Sequence, residues 1–262
     1  MPATRSTPRL PVLFLAHGNP MNALADNSFT RALRKLAAAL PRPDAVLVIS
    51  AHWLTRGSTH VLTAAMPRTI HDFGGFPREL YDIQYPAPGA PGSAALVREM
   101  VPEIEADDEW GLDHAAWAIL RHLWSAADVP VFELSLDMVA SPAAHWDIGR
   151  RLAPLRDRGV LVVGSGNIVH SFAGVSWAPN AVPEPWAEEF DAWVAEAVER
   201  RDRERLVDYM AAGRAARLSV PTTDHYLPLL YAAAMSTRDD AVSFPYAAIE
   251  MAAMSMRCVR FG

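Results

Sequence analysis

Three of the nine histidines close runs of apolar residues: VLFLAH ends on His17, VLVISAH on His52 and VLVVGSGNIVH on His170. A neutral imidazole is a common metal ligand and a proton acceptor near neutral pH. In open α/β sheets, ligands sit beyond the carboxyl ends of the strands, so side chains leaving parallel strands there converge. Small residues flank two of these histidines, Ala16 and Gly18 around His17 and Ala51 before His52, which leaves room for a ligand. Any one of the three taken alone reads equally well as a core histidine bonded to a carbonyl. Three at equivalent positions favour a shared metal or catalytic site. In PTTDHYLPLLYAAAM, Thr223 or Asp224 is an expected helix cap and Pro228 fits a first turn, which puts His225 at a helix start. The helix dipole there favours the neutral imidazole that a metal requires. His114 follows Asp113, an expected cap for the helix carrying Trp117 and Leu120, and on its own residues reads as a surface histidine.

The remaining motifs exclude several chemistries. No C-x-x-C pair and no H-E-x-x-H occurs, so a thiolate zinc site or an ordinary zincin is ruled out. Ser165 in VVGSGN has Val163 where a nucleophile elbow needs glycine, and Val169 breaks the dinucleotide pattern. What remains is one divalent metal held by imidazoles from separate strands, a ligand type that suits Zn, Fe, Ni or Cu. Its open positions would hold water, giving hydrolysis, or a chelating substrate with dioxygen, giving oxidation.

The elements that must place these side chains are legible as short runs of Val, Ile and Leu. They are VLFLA at 12–16, AVLVIS at 45–50, VPVFELSL at 129–136 and GVLVVGS at 159–165. Continuous rather than alternating apolarity predicts strands covered on both faces, hence a parallel sheet and an α/β fold. Residues 28–40 carry apolar positions at helical spacing behind Ser28, and 185–203 and 205–217 read as charged, exposed helices. His122 falls in the helix after His114, His145 in a loop or helix start, and His60 in a strand of mixed polarity. Residues 67–92, dense in Pro, Gly and aromatics, predict an ordered loop over the site, with His71, Phe73 and Tyr81 as candidate substrate contacts.

Half of the chain is hydrophobic (51%), which supports a substantial core over 262 residues, read as one domain. A net charge of -6 without a Lys/Arg cluster argues against nucleic acid as a partner. Cys258 is the only cysteine, so no internal disulfide forms, and a reducing cytoplasm is expected. The N-terminus MPATRSTPRLPV lacks the apolar stretch of a leader, and no run is long enough to span a bilayer.

Six motifs, in order, cover nearly the whole chain: HGNPMNAL, SAHW, HDFGGFPRELYDIQYPAPG, GLDHAAWAIL, GSGNIVHSF and DHYLPLLYAAA. Together they resemble the 4,5-DOPA extradiol dioxygenase family of the class III, LigB-like, ring-cleaving dioxygenases. The resemblance implies a mostly parallel sheet flanked by helices, and insertion of O2 into a small aromatic diol at a mononuclear metal. His17, His52 and His225 match its metal-holding positions, and His170 its acid/base position, which in some members comes close enough to be a fourth ligand. His114 matches a histidine beside substrate or dioxygen. Extradiol enzymes of the wider class use two histidines and a glutamate on iron. With His225 in the third place the site carries one more positive charge, which favours a catecholate and makes Zn(II) an alternative occupant to Fe(II). A zinc-dependent amide or ester hydrolase and a non-catalytic metal-binding protein are the competing readings, and a homo-oligomer is compatible with all of them.

Overall fold

Each apolar run predicted as a strand becomes one in the computed structural model, which describes residues 9–178 and 180–262. The first eight residues, which hold most of the stretch read as lacking a leader, lie outside the described residues. The first half runs β1 (Val12–Ala16), α1 (Ser28–Ala38), β2 (Ala45–Thr55), β3 (His60–Leu62), α2 (Arg78–Tyr81), α3 (Pro91–Met100), β4 (Glu105–Asp107) and α4 (His114–Leu123). Then come β5 (Val131–Asp137), α5 (Pro142–Leu152), β6 (Val160–Gly166), α6 (Pro185–Arg200), α7 (Arg203–Val207), α8 (Arg214–Ser219) and α9 (Leu227–Ala234). Short strands follow: β7 (Val242–Tyr246), β8 (Ile249–Glu250), β9 (Met254–Ser255) and β10 (Cys258–Phe261).

Eight strands form one sheet in the order β4-β3-β5-β2-β6-β1-β10-β7, while β8 and β9 pair as a separate hairpin. The central strands β5, β2, β6 and β1 are mutually parallel, and β3 and β10 flank them in antiparallel fashion. Every residue of β1, β5 and β6 is buried, as their unbroken apolarity requires. Helices cover both faces, and the G-S-G end of β6 shows how closely. A Cβ on Gly164 would sit 2.4 Å from the Pro228 carbonyl oxygen and one on Gly166 2.2 Å from that of His225. These glycines let the chain entering α9 lie directly against the strand. Ser165, between them, points to the other face and donates to the Ala115 carbonyl of α4 at 2.7 Å.

Several expected boundaries move for physical reasons. The cap of α1 is Asn27, not Ser28: Asn27 and Thr30 exchange side-chain and backbone hydrogen bonds in a capping box. The helix expected at 205–217 breaks into α7 and α8 with a 3-10 turn between them, where Gly213 takes φ +68. Neither Thr223 nor Asp224 caps α9, which starts at Leu227, because Asp224 turns to His225 instead. The loop at 67–92 is pinned rather than loose. Ile70 N–H donates to Leu112, Leu112 N–H to Arg68, and Val131 N–H to Pro88, while α2 and the start of α3 fall within its span. No helix among the described residues is long and apolar enough to cross a membrane.

Candidate metal centre

The carboxyl ends of β2, β6 and β1 lie side by side, and the chain leaves them into one cavity. His17 is the first residue after β1, its N–H donating to the Gly166 carbonyl at 3.3 Å. His52 sits near the end of β2, where the pairing with β5 shifts register between Ile49 and Leu54. His225 precedes α9 and is held against β6 by the Asn167 N–H, which donates to its carbonyl at 2.9 Å. The ring centroids form a nearly equilateral triangle, with His17 5.0 Å from both His52 and His225, and those two 5.1 Å apart. One nitrogen of each lies within 4.8 Å of the others, the spacing of ligands around a single cation.

Each of these rings is held by its other nitrogen. The Ser165 hydroxyl proton is spent on the Ala115 carbonyl, so its oxygen must accept from His17 Nδ1–H at 3.1 Å. His52 Nδ1 faces Asp72 Oδ2 at 3.1 Å, and His225 Nδ1 bonds to Asp224. A carboxylate only accepts, so both rings donate from Nδ1 and leave Nε2 as a bare lone pair. The three Nε2 atoms converge, with His17 and His52 at 3.2 Å, and His225 Nε2 is buried without any hydrogen-bond partner among the described residues. Such an orphaned acceptor beside two others, with every second nitrogen oriented from behind, fits a divalent cation such as Fe(II) or Zn(II).

Two further imidazoles border the cavity in different ways. His114 begins α4 and is buried, not at the surface as its neighbours in sequence implied. Asp113 does cap the helix, accepting from Ala116 N–H. Asp72 accepts from the His114 backbone N–H with one oxygen and from its Nδ1 with the other, both at 2.9 Å. His170 lies four residues past the end of β6, bridged to Met254. Its ring stacks on His225 with centroids 3.5 Å apart and planes 2° from parallel.

Burial and proximity set the protonation states. Burial, then the neighbouring imidazoles, hold His17 well below an ordinary histidine. Burial and His225 bring His170 to about 3, and burial outweighs the Asp224 hydrogen bond to leave His225 at about 4. His114 is lowered mainly by burial, against the pull of Asp72. His52 alone is raised, because Asp72 and the nearby carboxylates overcome its desolvation. Asp72 and Asp224 resist burial and stay below the usual carboxylate range through their histidine hydrogen bonds. Behind them, Ser50 donates to Asp113 at 2.6 Å and Asp113 N–H to Glu133 at 2.9 Å. Burial raises both of these acids, so the pair holds a proton more readily than a surface pair would.

A cavity of about 280 Å³ opens over the triad, lined also by His114, His170, Phe73, Phe76, Phe172 and Trp177. Of the residues expected to contact substrate, Phe73 reaches this wall. His71 and Tyr81 do not: His71 Nε2–H donates to the Ile83 carbonyl at 3.0 Å, and Tyr81 packs behind Phe73. Asp72 is the residue that sequence reasoning missed. It orients both His52 and His114 from a loop, and the HDFGG motif that contains it carries no periodic signal to mark it out. In the sequence Asp224 has the look of a helix cap, and Ser165 only that of an incomplete nucleophile elbow.

The family described as the catalytic LigB subunit of aromatic ring-opening dioxygenase matches residues 8–257. A protein of Escherichia coli (strain K12) named 4,5-DOPA dioxygenase extradiol is 43% identical, with 98% of this chain and 96% of that one covered. A Beta vulgaris protein of the same name is 35% identical over 82% of this chain and 83% of its own. The crystal structure of "uncharacterized protein JW3007" from Escherichia coli K12 superposes with a TM-score of 0.86 at 40% identity, covering 97% of this chain and all of that one.

Proposed function

This chain belongs to the LigB family of aromatic ring-opening dioxygenases and is an extradiol dioxygenase, and we propose that it opens a catechol at Fe(II) held by His17, His52 and His225. The observation that carries the assignment is the convergence of three Nε2 lone pairs, each ring fixed at Nδ1 and one nitrogen buried without a partner. Fe(II), when bound, supplies the electronic coupling between the diol and dioxygen; Zn(II) fits the same imidazoles but has no redox chemistry.

A catechol must lose its phenolic protons to chelate, and two imidazoles outside the triad face the cavity. His170, kept neutral near pH 7 by burial and His225 and stacked face to face on that ring, accepts the first proton. His114 presents Nε2 as an acceptor because Nδ1–H is given to Asp72, and the same carboxylate stabilises the imidazolium once a proton arrives. That charged ring then serves as a donor to negative charge developing on the oxygen side. Phe73, packed edge-on to His114 with centroids 5.5 Å apart, narrows the cavity around an aromatic ring and excludes water.

Anaerobic reconstitution with Fe(II), followed by air and a panel of catechols, tests the assignment. A yellow semialdehyde with one O2 consumed per ring opened is the expected result, and the zinc-loaded protein is expected to bind catechol without oxygen uptake. Oxygen-independent cleavage of esters or amides, or tight metal binding with no turnover, would overturn it.

A further inference from the structure

Three methionine side chains gather beside the histidine cluster, and they differ in what reaches them. Met251 and Met254 line the cavity, and Met251 also lines a groove of about 440 Å³ that runs outward from it and shares Asn19 and Trp177. Met256 packs behind and is fully buried: a Cβ on Gly18 would lie 2.5 Å from its Sδ, and Asn167 Nδ2 approaches that sulfur at 3.8 Å. Met254 belongs to β9 and is buried as well. Met251 is only half-buried, and it stands at the neck where the two spaces meet.

The backbone fixes Met251 at that neck. Between β8 and β9, Met251 and Ala252 both take positive φ, 51° and 64°, a conformation that residues with a Cβ adopt at a cost. Backbone donors clamp the turn from outside: Ser176 N–H to Met251 at 3.0 Å, Glu184 N–H to Ala252 at 2.9 Å and Ser171 N–H to Ala253 at 3.4 Å. The Met251 sulfur faces Asn19, whose Nδ2–H meets it in a long, weak contact of 4.0 Å. Asn19 Oδ1 accepts from Met21 N–H at 2.9 Å and so caps the 3-10 turn at Pro20–Ala23, two residues after His17 and Gly18 begin the motif.

We propose that Met251 is an oxidation site, where hydrogen peroxide converts the thioether to a sulfoxide that hinders binding of the next catechol. The proposal rests on ring cleavage at the histidine cluster for the source of the peroxide, since that reaction brings a diol and dioxygen together in this cavity. When dioxygen takes two electrons and two protons from the diol instead of inserting, the products are an ortho-quinone and hydrogen peroxide. The O–O bond of the peroxide then breaks, one oxygen bonds to the Met251 sulfur and the other leaves as water. Sulfur is oxidised by two electrons and the peroxide reduced by two. The sulfoxide oxygen is polar and a far better acceptor for Asn19 Nδ2–H than the thioether, and an incoming aromatic ring must desolvate it to pass between Asn19 and Trp177.

Two experiments read the sulfur itself. In the first, the Fe(II)-loaded protein turns over catechol in air with catalase in solution, and peptide mass spectrometry locates the added oxygen. Met251 should carry it ahead of Met66 and Met210, which are 72% and 44% exposed and lie outside both spaces, whereas peroxide from bulk solvent would mark those two first. Normal oxygen uptake with Met251 left reduced overturns the proposal. In the second, hydrogen peroxide is added to the zinc-loaded protein with and without 4-nitrocatechol. The bound diol should slow oxidation of Met251 by about fivefold or more and leave Met66 and Met210 unaffected, and the oxidised protein should bind 4-nitrocatechol roughly tenfold more weakly. In Met251→Leu the same treatment should weaken binding by about twofold or less; equal losses in the wild type and in Met251→Leu overturn the proposal. The second experiment needs no turnover: diol-protected oxidation of Met251 there, with neither oxygen uptake nor semialdehyde in the first, would keep the oxidation site and speak against ring cleavage.

Discussion

The floor of the cavity and its mouth are made of different material. On the floor, His17, His52, His114 and His225 each have a nitrogen fixed by a buried or half-buried partner, respectively Ser165, Asp72, Asp72 and Asp224. At the mouth, Phe172 and Trp177 are each 69% exposed, and among the described residues His170 is held by stacking and backbone contacts rather than by a side-chain hydrogen bond. The difference separates two tasks. Holding a cation demands imidazoles locked within a fraction of an ångström, which buried hydrogen bonds supply. Admitting a substrate and moving its proton demands surfaces and rings with room to adjust.

The strongest way to break this comparison is to remove part of the floor. His52→Ala should abolish metal retention, read as metal per chain after desalting, and lower kcat/KM on the order of 10³-fold or more. His170→Gln should keep the metal and lower kcat by roughly 10²- to 10⁴-fold, the range of a lost general base. Loss of metal in that variant would move His170 from the mouth to the floor. Asp72→Asn removes the acceptor shared by His52 and His114; a decrease of about 10- to 100-fold in metal affinity is expected, measured by competition with a chelator.

Acid should loosen the floor before the rest of the fold. In the metal-free protein His17, His114, His170 and His225 all titrate below the unfolded value of about 6.5, and His52 alone titrates above it. As pH falls through the unfolded value, the unfolded chain takes up protons that these four refuse, so stability declines from about pH 7 toward pH 5. Each proton so refused contributes a slope of up to ~1.4 kcal/mol per pH unit. His52 opposes the trend, since its contribution is lost only as pH rises through its folded value. Denaturant titrations at several pH values, without metal, measure the net slope; a flat profile would mean that the floor is already open in the apo state. The smallest effect belongs to the mouth. Phe172→Ala should raise KM by roughly two- to fivefold through lost apolar contact with the ring, with metal content as in the wild type.

The strands and the three strand-end histidines were legible because burial on both faces writes itself into unbroken apolar runs, and the chemistry sits where those runs stop. The third proposed metal position was legible as a residue but not as a geometry. His225 looked like the start of a helix, and nothing in DHY announces that Asp224 abandons the helix to hold the imidazole. Asp72 was hidden for a related reason: its two partners lie far away in the chain, and a loop has no period from which to read a direction. The hairpin at 249–254 was the least visible, because Met251 and Ala252 occupy backbone conformations that turn preferences assign to glycine or asparagine. Reading 205–217 as one helix failed where Gly213 and the preceding 3-10 turn interrupt a charge pattern that otherwise runs on.

The order of the proposed ligands along the chain has a consequence for how the protein is made. His17 and His52 emerge from the ribosome early, but the sheet that sets them side by side needs β6 between their strands, and His225 follows later still. A growing chain therefore exposes only two of the three proposed triad imidazoles through most of its synthesis. The full set of three imidazoles that would hold the metal is therefore assembled only once the central sheet and the chain leading into α9 have been made.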